Sequence, residues 1–153
     1  MAHSYLQVYL QAVFAVKYRQ SVLDKLWRPK LHGVIGNLIN ETGCKAIIVN
    51  GVEDHIHCFI GLRPVISISN LMQVVKGKSS KYINDHQLTK HRFEWQVGYS
   101  VFSYSKSHVE RVFRYIANQE QHHLKQSFKK EYISLLNENK VTFEEQYIFK
   151  ELE

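Results

Sequence analysis

An α+β domain built on an antiparallel sheet is the fold this sequence predicts. Three observations carry the prediction. Short runs rich in β-branched and aromatic residues alternate along the chain with longer runs of helically spaced apolar residues. Two of the strand-like runs are separated only by a turn, which makes them a hairpin. The order then reads strand, helix, strand, strand, helix, strand, with further helices behind it. That is the β-α-β-β-α-β, ferredoxin-like pattern, with helices packed mainly on one face of the sheet.

The first element is "YLQVYLQAVFAV", Tyr5 to Val16, whose β-branched and aromatic residues read as a strand. From Ser21 to Glu41, the residues Leu23, Leu26, Trp27, Leu31, Val34, Ile35 and Leu38 follow helical spacing. Pro29 either kinks that helix or opens its main part, and Gly43 ends it. "CKAIIVN" is a strand, "GVED" a turn and "HIHCFIGL" the returning strand, closed by Pro64. Ile68, Leu71, Met72, Val75, Tyr82 and Ile83 define an amphipathic helix, with Ser67 or Ser69 as its N-cap. "GYSVFSYS" is a fourth strand. Ser107 and Glu110 form a capping box for the next helix. Ser127 to Asn139 is helical again, and "FEEQYIF" reads as a docking strand or an ordered tail. The whole chain, 1–153, reads as one domain, with a core over about 5–125 and a helical tail over about 126–153.

Composition narrows the classes. With 44% hydrophobic and 22% charged residues the chain resembles an ordinary globular protein, not a disordered one. No apolar run approaches the ~18 residues a membrane span needs, and no export signal is visible, so the cytoplasm is the expected location. Cys44 and Cys58 lack CxxC spacing and read as buried free thiols. The net charge of +6 fits a polyanionic partner, and equally a plain solvated basic surface.

The chemistry-bearing residues start with "VEDHIHCFI". Residues two apart on a strand share a face, so His55 and His57 project together while Ile56, Cys58 and Ile60 face the other way. Such a pair fits half of a metal site, or two partly buried, hydrogen-bonded imidazoles. In "VERVFRYIANQEQHH", Val109, Val112, Phe113 and Ile116 make a buried stripe. Tyr115 and Gln119, four apart, share the flank of that stripe, where they either enter a cleft or remain a border aromatic and a surface amide.

"DHIHCFI" followed further along by "YIANQ" resembles the HUH single-tyrosine transposases, small insertion-sequence enzymes that move single-stranded DNA. "FAVKYRQSVL", "SISNLMQVVKGKSSKYI" and "WQVGYSVFSYS" are similar to further family segments, so the resemblance covers roughly residues 5 to 125. It implies Tyr115 as catalytic nucleophile and His55, His57 and Gln119 as ligands of a divalent ion. Neutral N and O ligands are compatible with Mg²⁺ or Mn²⁺, and with zinc as an adventitious occupant. It also implies a 5′-phosphotyrosine intermediate, recognition of hairpins at the ends of the element, and a homodimer. Glycines often form the hinge before the family's tyrosine helix; here the connection is "SYSKSHV", without Gly.

Phosphate contacts are expected from Lys17 and Arg19 after the first strand, and from Lys76, Lys78, Ser79, Ser80 and Lys81 on the second helix. For the lysines a solvated helix face remains the other reading. Two further functions compete with the transposase. One is a domesticated or inactive hairpin binder on the same fold. The other is a different HUH enzyme, such as a replication initiator, a relaxase, or a relative associated with palindromic genomic repeats.

Overall fold

The computed structural model describes residues 5–144. Four strands, β1 (Tyr9–Ala15), β2 (Lys45–Gly51), β3 (His55–Gly61) and β4 (Ser100–Tyr104), pair antiparallel in the order β2-β3-β1-β4. Helices α1 (Arg28–Glu41) and α2 (Ile68–Asp85) connect them, which gives the expected ferredoxin-like order. Three more helices follow: α3 (Val109–Ala117), α4 (Gln119–His123) and α5 (Phe128–Glu138).

The alternation of side chains divides the sheet into two faces. On one face Ala12, Phe14, Ile56, Cys58 and Ile60 meet Leu31, Ile35 and Ile39 of α1 and Leu71, Met72, Val75 and Ile83 of α2. Each fully buried Leu or Ile contributes ~1.5–3 kcal/mol relative to exposure, so this layer is the main core. The opposite face carries two smaller apolar clusters. Phe59, Val112 and Ile116 seat α3. Val13, Ala15, Phe102, Phe128, Leu135 and Leu136 seat α5. The two core helices thus cover one face as expected, and the C-terminal helices lie across the other.

Several element boundaries differ from the sequence reading. β1 begins at Tyr9 rather than Tyr5, because its register against β3 ends at Tyr9 opposite Gly61 and Tyr5 is exposed. The first helix begins at Arg28, and Pro29 stands in its first turn, where its missing N–H costs nothing. Leu23 is fully buried even though it lies outside that helix. Ser67 caps α2 by accepting from the Asn70 N–H, and Ser127 caps α5 by accepting from the Lys130 N–H. The Ser107 capping box does not form. Its hydroxyl pairs with Ser105 Oγ at 2.8 Å, and the N-cap position of α3 falls on His108. Phe113 is 40% exposed and does not belong to the buried stripe of α3. Cys44 and Cys58 are free and buried. Of "FEEQYIF", Phe143 packs against the α5 cluster, while 145–149 lie outside the described residues. No helix among the described residues is long and apolar enough to cross a membrane.

Candidate active site

Between the two apolar clusters on the C-terminal face runs a buried polar seam. It starts with β3. His55 pairs across the sheet with Ala15, and His57 with Val13 and Asn50, so both imidazoles point towards α3 and α5. Both are fully buried. Asp54 Oδ1 lies 2.7 Å from His55 Nδ1, and Gln11 Oε1 lies 2.8 Å from His57 Nδ1. Both oxygens only accept, so both Nδ1 atoms carry the proton. In the neutral ring that tautomer leaves an Nε2 lone pair directed into the seam.

Gln119 arrives from the opposite side. Its Oε1 stands 3.3 Å from His55 Nε2, and the residue is fully buried. It does not sit on a continuous helix with Tyr115. α3 stops at Ala117, Asn118 adopts φ −100°, ψ 25°, and α4 restarts at Gln119. Asn50, the register partner of His57, stabilises this break. Its Nδ2 donates to the carbonyls of Ile116 at 2.9 Å and Ala117 at 3.2 Å, two of the acceptors a helix end leaves open. On the other flank the buried Arg28 guanidinium donates to Glu120 Oε1 at 3.1 Å and to the Leu23 carbonyl at 2.9 Å. Tyr115 is half-buried, with its ring centroid 6.0 Å from that of His57.

The residue that sequence reasoning missed is Glu131 of α5, also buried. Its Oε1 lies 3.2 Å from both His55 Nε2 and His57 Nε2, and 3.0 Å from His123 Nε2. Its Oε2 accepts from the Tyr115 hydroxyl and, at 3.1 Å, from Gln119 Nε2. A signal was present. Phe128, Glu131 and Leu135 fall at three- and four-residue spacing, so a carboxylate stands on the apolar stripe of the tail helix. Phe128 itself stacks on His55, with centroids 3.8 Å apart.

The electrostatics follow from burial and charge. Burial disfavours a charged His55, but Asp54 and Glu131 outweigh it and hold its pKa above the ordinary value. For His57 burial wins over Glu131, and the pKa falls. Burial would raise Glu131, yet the facing imidazoles hold it far below the usual carboxylate range. The Tyr115 phenol is pushed well up, first by burial and then by the Glu131 charge.

These donors fit a divalent cation. One ligand atom each from His55, His57 and Glu131 lies within 4.8 Å of the others, with Gln119 Oε1 beside them. Two imidazole lone pairs, an amide oxygen and a carboxylate oxygen face one another. Such a cluster of acceptors is favourable around positive charge, which a bound cation or a protonated imidazole facing Glu131 supplies.

The residues expected to contact phosphate lie apart from this seam. α2 packs on the other face of the sheet, so its basic cluster is separated from the histidines by the sheet itself. Two members are engaged within the fold. Ser79 is fully buried and its hydroxyl accepts from Trp95 Nε1 at 2.9 Å. Lys76 Nζ donates at 2.7 Å to the carbonyls of both Gln96 and Gly98, pinning the loop that leads into β4. Lys78 and Lys81 are exposed, Lys81 beside Asp85, and Ser80 bonds the Gly77 carbonyl of its own helix. Lys17 Nζ pairs with Glu94 at 2.9 Å, and Arg19 ends the same short turn at a φ of 54°.

The chain is similar to known proteins in sequence and in fold. Residues 4–119 match the family described as "Transposase IS200 like". A curated relative, the ISDra2 transposase TnpA of Deinococcus radiodurans, is 22% identical over 118 residues, spanning 74% of this chain and 84% of that protein. A crystal structure described as a transposase from D. radiodurans superposes with a TM-score of 0.61 at 22% identity, covering 78% of this chain and 96% of that one. A REP-associated tyrosine transposase bound to a REP hairpin gives a TM-score of 0.56 at 12% identity, covering 82% and 74%.

Proposed function

Because this chain belongs to the IS200-like transposase family, we propose that it is a metal-dependent single-stranded DNA transposase that cleaves and rejoins insertion-sequence ends through a 5′-phosphotyrosine intermediate. The observation that carries this reading is the meeting, within one chain, of the Tyr115 hydroxyl with the seam formed by His55, His57 and Gln119.

Tyr115 is the nucleophile. Its oxygen forms a bond to phosphorus while the bond to the 3′ oxygen breaks and the phenol proton is made up on that oxygen, which leaves a 3′-OH on one strand and a phosphotyrosine on the other. The phosphotyrosine link keeps the energy of the phosphodiester, so a 3′-OH can rejoin strands without an external source. His55, His57 and Gln119 would hold Mg²⁺ or Mn²⁺, which supplies Lewis-acid withdrawal of charge from a phosphate oxygen. Asp54 and Gln11 fix the imidazole tautomers this requires. Burial and the Glu131 charge keep the free Tyr115 hydroxyl protonated.

The ligands are buried behind Tyr115, which lines a cavity of about 440 Å³ with Gln11, Tyr104, Arg111, Val112, Leu135 and Glu138, the side from which a strand would approach. Hairpin recognition is supported by the hairpin-bound neighbour, and phosphate contacts fall to the surface residues Lys17, Arg19, Lys78, Ser80 and Lys81. β2 and β4 are the sheet's edges and offer a homodimer an edge-to-edge contact. The test is to mix the protein, Mg²⁺ and single-stranded DNA from the ends of its own element. A covalent protein–DNA adduct that chelation abolishes supports the reading. Hairpin binding without an adduct would favour the domesticated binder.

A further inference from the structure

The matched family region ends at residue 119, and Glu131 lies beyond it, on α5. We infer that Glu131 is a working member of the site: its Oε1 completes the cation's ligand set and its Oε2 positions the Tyr115 hydroxyl. This rests on the transposase reading above and assigns to the C-terminal helix a part in it.

The geometry divides the carboxylate cleanly. Oε1, among the described residues, meets imidazoles, those of His55, His57 and His123, at 3.0 to 3.2 Å. Oε2, among the described residues, meets the Tyr115 hydroxyl and the Gln119 amide nitrogen. A carboxylate with one oxygen on each set of groups links the candidate nucleophile to the candidate ligands. It also orients Gln119: the amide nitrogen donates to Glu131, which turns Oε1 of Gln119 towards His55. Fold stability does not call for a charge here. Glu131 stands between Phe128 and Leu135 on the stripe that seats α5, and a buried carboxylate costs several kcal/mol unless its partners compensate. All five of those partners are polar groups of the seam. Burial excludes a cap or surface role, and among the described residues its partners are imidazoles, a phenol and an amide rather than Lys or Arg.

The test compares wild type with Glu131→Gln, which keeps shape and size and removes the charge. Mn²⁺ is titrated calorimetrically, thermal unfolding checks the fold, and adduct formation is timed at saturating Mn²⁺. The expected result is a cooperative melt, Mn²⁺ binding weakened about ten-fold or more, and slower adduct formation even when the site is full. Unchanged Mn²⁺ affinity, or an unchanged adduct rate at saturation, would overturn the corresponding half of the inference while leaving a wild-type adduct, and so the transposase reading, intact. A wild type that neither binds Mn²⁺ nor forms an adduct sinks both together. If Glu131→Gln does not fold, Glu131→Cys with Cd²⁺ decides: a thiolate-to-metal band in the near ultraviolet, absent from wild type with its buried Cys44 and Cys58, supports the position as a ligand, and no band overturns it.

Discussion

Gln11 Oε1 lies 2.8 Å from His57 Nδ1, while its Nε2 donates to the Tyr104 hydroxyl at 2.9 Å. One amide in β1 therefore sets the tautomer of an imidazole in β3 and ties it to β4. Gln11→Leu removes the acceptor and keeps most of the volume. Mn²⁺ affinity should fall by about 10- to 100-fold, the usual cost of losing a group that orients a ligand, while the far-ultraviolet circular dichroism stays unchanged. Undiminished Mn²⁺ binding in a calorimetric titration would show that this contact does not orient the ring.

Asn50 closes the end of α3 from the neighbouring strand. Asn50→Ala leaves two helix-end carbonyls without their donor, so unfolding in urea should show a loss of about 1 kcal/mol or somewhat more. Because the break at Asn118 delivers Gln119, Mn²⁺ affinity should drop as well. A stability loss with unchanged affinity would mean that Arg28 and Glu120 hold the break alone.

The basic helix gives two variants with opposite signatures. Lys78→Ala, on the surface, should weaken single-stranded DNA binding across sequences and reduce the salt slope by about 0.7, one phosphate's share on a single strand, with no change in stability. Ser79→Ala should do the reverse. Its hydroxyl accepts from the buried Trp95 indole, so stability should fall by ~1–3 kcal/mol and the salt slope should hold. Fluorescence anisotropy at several salt concentrations, with a melt of each variant, separates them.

His32 makes the fold sensitive to mild acid. Burial, aided by the Arg28 charge, lowers its pKa to about 4 from the ordinary 6.5. The unfolded chain takes up the proton first, so the neutral ring's contribution is fully present above pH 6.5 and is lost as the pH falls towards 4. Its share is a loss of about 2 kcal/mol between pH 7.5 and pH 5. Denaturation of wild type and His32→Asn across that range should show the wild type falling more steeply; parallel curves would contradict it.

Much of this was legible in the chain because the relevant physics is local. Alternation in "HIHCFI" placed both histidines on one face, and the β2–β3 register then determined their neighbours. Ser67 and Ser127 cap where the helical pattern begins. What escaped depends on contacts distant in sequence. Glu131 was masked by reading Ser127 to Asn139 as part of a tail, although a carboxylate on its apolar stripe needed a buried partner. The break at Asn118 is dictated by Asn50 on another strand, and "YIANQ" alone reads as unbroken helix. Ser79 looked like a phosphate contact because its neighbours are lysines, but helical spacing from Met72 and Val75 puts it on the buried face, where it meets the Trp95 indole and the Lys76 carbonyl.

The central claim is that Tyr115 is the nucleophile, and mass spectrometry of the protein–DNA adduct tests it most directly. Wild-type protein is incubated with Mg²⁺ and cognate single-stranded ends, digested with nuclease and trypsin, and the modified peptide is sequenced. The account predicts a nucleotide on Tyr115 and nowhere else. Tyr115→Phe, which keeps the ring and loses the hydroxyl held by Glu131, should bind DNA normally and give no adduct. Tyr104→Phe and Tyr132→Phe, whose hydroxyls pair with Gln11 and Ser100, should still give it. A nucleotide found on any other residue, or an adduct that persists in Tyr115→Phe, would contradict the account.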